Sequence, residues 1–73
     1  MFAFKYKEIG LKIAYYRKKK GYTQAQLSEM VGISSNYLSL IERGNNGHSY
    51  SIETLFKIAN ALDVSVNELI NNI

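Results

Sequence analysis

The chain contains no cysteine, which restricts how its 73 residues can form a stable fold. Domains this small have small cores and commonly gain stability from disulfides, a bound metal, regular helix packing or a second subunit. Disulfides are excluded, and one histidine without cysteine does not supply the ligands of a structural zinc site. We therefore expect one domain over residues 1–73, without metal or cofactor, that depends on helix packing or dimerisation.

Apolar residues recur at helical spacing along the chain, which lacks proline, and short polar turns separate them. This pattern predicts an all-α fold of five short helices, the first over about residues 6–20. A helix-turn-helix unit is predicted at about residues 23–43. The predicted N-capping residues are Thr23, Ser34, Ser51 and Ser65, the last in a capping box with Glu68, and the predicted terminating residues are Gly21, Gly32 and Gly44.

The positive charge lies mainly at the start of the chain. Residues 1–20 carry seven basic side chains against Glu8, whereas the remainder carries two basic and five acidic ones. This split favours a polyanionic partner, either nucleic acid or an anionic membrane. Alternatively, the cations at 18–20 complement the dipole at the carboxyl end of a helix. Because no signal peptide or membrane span is recognisable, we expect a cytoplasmic protein.

A short glycine-containing turn at 32–34 joins two short helices, and such a turn makes helices cross steeply. The second helix would then project from the body, and an α-helix fits the DNA major groove. Ser35 and Asn36 at its amino end are small and polar, as groove entry requires, and asparagine can bond bidentately to adenine. Ser39, Leu40 and Arg43 share their face. Taken singly, each is better explained as an ordinary structural or surface residue, and Leu40 could belong to the core or to a protein interface.

The chain resembles the phage repressor/Cro-like (XRE) helix-turn-helix family at many fixed spacings. The matching segments are residues 21–28, 31–34, 37–44, 51–62 and 64–69. The resemblance implies a lambda-repressor-like DNA-binding domain. It further implies a sequence-specific transcriptional regulator that binds a palindromic operator as a homodimer, with helix 34–43 in the major groove.

Several residue roles follow from this resemblance. It implies base reading by Ser35, Asn36, Ser39 and Leu40, a phosphate contact from Gln24, and a structural ion pair between Arg17 and Glu42. The full set of expected phosphate contacts is Gln24, Thr23, Arg43, Arg17, Lys18, Asn45 and Asn46.

Three features depart from the family pattern. The loop after Gly44 is longer than usual and places Tyr50 where proline is common; its asparagines could contact the DNA backbone or form a simple insertion. The recognition helix is poor in arginine and lysine, so it attracts DNA weakly. Leu40 gives an apolar side chain at a reading position, which favours contacts with thymine methyl groups.

Dimerisation is expected through the last helix, whose apolar residues exceed what one small core needs. The predicted interface residues are Val66, Leu69, Ile70 and Ile73. Alternatively, all four pack inward, an arrangement that suits Val66 and Leu69, whereas Ile70 and Ile73 are the better interface candidates. The aromatic amino end, with Phe2, Phe4 and Tyr6, could cover the last helix or complete the interface, and the sequence does not distinguish these arrangements.

Other functions are less compatible with the sequence. A protein-interaction or antitoxin-like module on the same fold is the main alternative, because fold does not fix function. Catalysis is not expected, since His48, the sole histidine, lies in a loop without a defined acid partner. Residues 44–47 lack the lysine and preceding strand of a phosphate-binding loop. No membrane association or small-molecule ligand is expected.

Overall fold

The computed structural model describes residues 2–44 and 50–71, with side chains from residue 5 onward, and these residues form five α-helices and no strand. The helices are α1 (Phe2–Lys20), α2 (Gln24–Val31), α3 (Ser35–Arg43), α4 (Ile52–Leu62) and α5 (Val66–Ile70). The all-α prediction with five helices is confirmed. None of the described helices combines the length and the hydropathy that a membrane crossing requires.

The first helix begins earlier than the sequence pattern predicts, at Phe2 rather than near residue 6. No glycine or proline precedes Gly10, so nothing in the local sequence interrupts the helical backbone. Lys5 Nζ also lies 3.7 Å from Glu8 Oε1, one turn along the helix. Pairs at this spacing give a small stabilisation to an exposed helix.

Serine and threonine side chains cap the four later helices, as predicted. Thr23, Ser34, Ser51 and Ser65 each accept a hydrogen bond from the backbone N–H three residues on. A complete capping box forms at α2, where the Gln26 side chain also accepts the Thr23 N–H at 2.9 Å. At the predicted Ser65 box, the described contacts include only the bond from the Glu68 backbone to the serine. These bonds fix where each helix begins.

All five helices contribute to a single apolar core, in which α1 packs on α3, α4 and α5, and α2 packs on α3 and α4. The largest fully buried side chains are Ile13, Leu27, Leu38, Ile41, Ile58, Leu62 and Leu69. Ile52 is apolar like the buried residues of α4, but it is 70% exposed. It lies in the first turn of α4, beyond the edge of this core.

Gly10 allows the backbones of α1 and α3 to approach each other closely. A Cβ atom at residue 10 would lie 2.5 Å from the carbonyl oxygens of both Ile41 and Glu42. These are backbone atoms that cannot rotate away, so the site has no space for a side chain. The close approach at Gly10 therefore sets the distance between the two helices.

Tyr50, at the entry to α4, packs its ring against Tyr6 of α1. The ring centroids are 5.4 Å apart and the planes meet at 69°, an edge-to-face arrangement. Tyr6 thus covers the start of α4, whereas the side chains of Phe2 and Phe4 lie outside the described part of the chain. The Tyr50 hydroxyl is buried and has no hydrogen-bond partner among the described residues. Burial, with smaller contributions from Tyr6 and Tyr37, raises the pKa of Tyr50 to about 12.

This raised pKa predicts a specific loss of stability in alkali. The folded state keeps the Tyr50 proton up to about pH 12, whereas the unfolded chain releases it near the ordinary pKa of 10.0. Stability from this residue is therefore complete below pH 10 and is lost as pH rises towards 12. Urea unfolding at about pH 9 and about pH 11 should show a smaller decline for Tyr50→Phe than for the wild type.

Tyr15→Phe serves as the control, because Tyr15 is 57% exposed. Its decline should match that of the wild type. Equal declines in the wild type and Tyr50→Phe would show that the Tyr50 hydroxyl titrates as a solvated phenol.

Candidate nucleic-acid interface

A tight turn at residues 32–34 connects α2 to α3. Gly32 has φ 89°, in the left-handed region that glycine adopts without strain. The N–H groups of Gly32 and Ile33 both donate to the Ser28 carbonyl, at 2.8 and 3.0 Å. These bonds close α2, and the Ser34 cap opens α3 immediately afterwards. The predicted helix-turn-helix geometry follows from these local interactions.

α3 has an apolar inner face and a polar outer face. Leu38 and Ile41 are only 0% and 2% exposed. The outer face carries the predicted residues: Ser35, Asn36 and Arg43 are exposed, and Ser39 and Leu40 are half-buried. The structure therefore brings all the predicted base-reading side chains to one surface, with Ser35 and Asn36 at the amino end of the helix.

The predicted ion pair between Arg17 of α1 and Glu42 of α3 is present in the structure. Arg17 Nε donates to Glu42 Oε2 at 2.6 Å, and Arg17 Nη2 donates to Glu42 Oε1 at 3.1 Å. Both residues are only 8% exposed. Arg17 Nη1 also donates to the Tyr22 carbonyl at 2.9 Å, which ties the α1–α2 turn to the pair.

Gln24, the first residue of α2, joins this network. Its Nε2 donates to Glu42 Oε1 at 2.9 Å. Thr23, which precedes it, is exposed and caps the helix. The sequence did not predict the bond between Gln24 and Glu42, because the two residues lie 18 positions apart and form no local motif.

Arg17 is the least accessible of the predicted phosphate contacts that the structure describes. Arg17 was expected to contact a phosphate in addition to pairing with Glu42. It is buried, and three of its nitrogens already donate to Glu42 and Tyr22. The contacts that the structure describes for Arg17 are structural, and its phosphate contact stays a prediction. Lys18, the next residue, is exposed. Asn45 and Asn46 lie outside the described residues.

The predicted dimer residues of α5 divide into two groups. Leu69 is 0% exposed, so it belongs to the core of the single chain and its assignment to an interface was wrong. Val66 is half-buried and Ile70 is 37% exposed, so both remain accessible on the same face of α5. Ile73 lies outside the described residues.

Known proteins are similar to this chain in fold and in sequence. The transcriptional regulator SinR of Bacillus licheniformis is 48% identical over 63 residues, which cover 86% of this chain and 56% of SinR. A solved structure of SinR, the master regulator for biofilm formation, in complex with DNA superposes with a TM-score of 0.77 at 45% identity. That match covers 86% of this chain and 98% of the solved one.

A restriction-modification controller protein of Aeromonas hydrophila, C.AhdI, superposes with a TM-score of 0.85 at 28% identity, over 93% of this chain and 96% of the controller. The chain spans about half the length of the curated SinR and SlrR relatives that it matches. The model of the HTH_3 helix-turn-helix family matches residues 13–69 of this chain. The chain therefore belongs to the HTH_3 (XRE-type) helix-turn-helix family of transcriptional regulators and repressors.

Proposed function

We propose that this protein is a non-enzymatic, sequence-specific regulator of transcription that binds a palindromic operator as a homodimer. The observation that carries this proposal is the division of α3 into two faces. Leu38 and Ile41 fix its inner face in the core, while Ser35 and Asn36 stand free at its amino end. Small polar groups at the amino end of a fixed, projecting helix can enter the major groove and meet base edges.

DNA contact along α2 and α3 would combine two kinds of interaction. Asn36 would read a base, with Ser35, Ser39 and Leu40 beside it. Thr23, Gln24 and Arg43 would contact phosphates, and first-turn amide groups of α2, which a helix leaves unpaired, would add to them. α3 carries little positive charge, and exposed Lys18 would add electrostatic attraction to the DNA backbone. Such a role would place the protein in the cytoplasm with the chromosome.

A dimer would double the few base pairs that one module reads. Val66 and Ile70 on α5 offer an accessible apolar contact, with Ile73 following them in the sequence. Two recognition helices about 34 Å apart would then match half-sites separated by one turn of DNA. The SinR complex with DNA supports the nucleic-acid partner by similarity.

Selection from a random DNA pool, followed by retesting of variants, tests the proposal. Asn36→Ala should relax the preference at one or two base positions and cost about 1–3 kcal/mol on the preferred sequence. Gln24→Ala should weaken binding to all sequences similarly, because phosphate contacts carry no base information. An unchanged preference profile for Asn36→Ala would rule out the assignment of α3 as the reading helix.

A further inference from the structure

We infer that Glu42 is a positioning residue for DNA binding, because its carboxylate orients the Gln24 side chain towards a DNA phosphate. This inference rests on the proposed function and gives Glu42 a role beyond joining α1 to α3. It starts from one oxygen atom, Glu42 Oε1, which accepts hydrogen bonds from Arg17 at 3.1 Å and from Gln24 at 2.9 Å. The same carboxylate thus contacts the buried ion pair and the predicted phosphate-binding side chain.

The bond to Glu42 determines which way the Gln24 amide faces. A primary amide carries two N–H donors on one side and a carbonyl acceptor on the other. Because an ionised carboxylate only accepts, the NH2 group must face Glu42, and one of its N–H donors remains available. A phosphate also only accepts. Without Glu42, the amide could rotate and present its carbonyl to the phosphate, which would repel it.

Arg17 makes this arrangement compatible with a polyanionic ligand. An unpaired carboxylate beside a phosphate-contacting amide would repel DNA. Here Arg17 Nε lies 2.6 Å from Glu42 Oε2, and the two side chains are only 10% and 6% exposed. The pair therefore orients Gln24 without presenting a net negative charge to the DNA backbone.

The contacts of Arg17, Gln24 and Glu42 also link α1, α2 and α3, which must act together in DNA binding. Arg17 holds the Tyr22 carbonyl at 2.9 Å, immediately before the Thr23 cap. Glu42 lies on α3, one position before Arg43. The amino end of α2 is thereby held at a set position relative to the reading helix, so a phosphate contact and base contacts can form in the same register.

A double-mutant cycle on DNA affinity tests this coupling. Gln24→Met keeps the length of the side chain but removes the amide, and it should weaken binding to the selected duplex about tenfold in the wild type. In the Arg17→Met/Glu42→Leu background, which replaces the ion pair with apolar side chains, the same change should weaken binding less than about twofold. Asn36→Ala is the matched control and should have equal effects in both backgrounds.

A second variant covers the case in which the apolar background does not fold. Glu42→Asp keeps the charge opposite Arg17 but withdraws the carboxylate from Gln24 by one methylene group, and it should show the same loss of coupling. An independent readout is the NMR signal of the Gln24 side-chain NH2, whose hydrogen-bonded proton should exchange slowly in the wild type and rapidly in both Glu42 variants.

The outcomes separate the inference from the proposed function. If the wild-type protein binds no duplex from the pool, the proposed function itself fails. If it binds and Gln24→Met weakens binding equally in every background, DNA binding stands and the positioning role of Glu42 is wrong. An absence of any effect of Gln24→Met in the wild type would also overturn the positioning role.

Discussion

Glu42→Ala is expected to lower the free energy of unfolding by about 3–5 kcal/mol. The change removes the acceptor of two Arg17 nitrogens and leaves a guanidinium group buried without its counter-charge. A domain of this size has a total stability of only about 4–11 kcal/mol, so the variant should approach unfolding at room temperature. Urea unfolding followed by circular dichroism, at low temperature, measures the loss.

The double change Arg17→Met/Glu42→Leu provides the control for this prediction. It removes both charges together, and we expect it to recover most of the lost stability, because an apolar pair needs no desolvation of charge. The Tyr22 carbonyl loses its donor in this variant, so recovery should be incomplete. A loss below about 1 kcal/mol for Glu42→Ala would mean that the pair behaves like an exposed surface pair.

Leu69→Ala is expected to lower the free energy of unfolding by about 2–5 kcal/mol. Leu69 is fully buried within the single chain, so the change opens a cavity between α5 and the rest of the core. Because the cavity lies inside one subunit, the loss should be the same at low and high protein concentration. Urea unfolding at two concentrations, about a hundredfold apart, tests this.

Ile70→Ala, one residue further on, is the matched control. Ile70 is 37% exposed and fills little of the core, so its removal should cost less than about 1 kcal/mol of single-chain stability. If α5 forms the dimer contact, Ile70→Ala should weaken self-association measured by sedimentation. If the stability loss of Leu69→Ala grew with protein concentration, Leu69 would have to be assigned to the dimer interface.

The helical framework was predictable because its signals are local. Each later helix starts at a serine or threonine whose side chain bonds three residues on, and such caps can be recognised from sequence. The start of α1 was less predictable, since no residue near its amino end marks where the helix begins. The outer face of α3 followed from helical periodicity once its cap at Ser34 was known.

The connections between helices were harder to predict. The resemblance implied the pair of Arg17 and Glu42, but neither composition nor spacing shows that Arg17 is buried and that all three of its nitrogens donate within the chain. The third partner, Gln24, became visible only when the fold placed the start of α2 beside the end of α3. Leu69 and Ile70 illustrate the same limit, because periodicity marks both as apolar without showing which of them faces the core.

α3 must pack on the rest of the protein and also present side chains to DNA. The backbone contact at Gly10 serves only the first of these requirements. The inner side of α3 rests on the main chain of α1, so its placement does not depend on which side chains occupy the opposite side. Of the proposed base-reading residues, Ser35 and Asn36 are exposed, so these two positions can be exchanged while α3 keeps its place in the fold. A library that varies positions 35 and 36, with Gly10 left intact, would offer new DNA specificities on an unchanged scaffold.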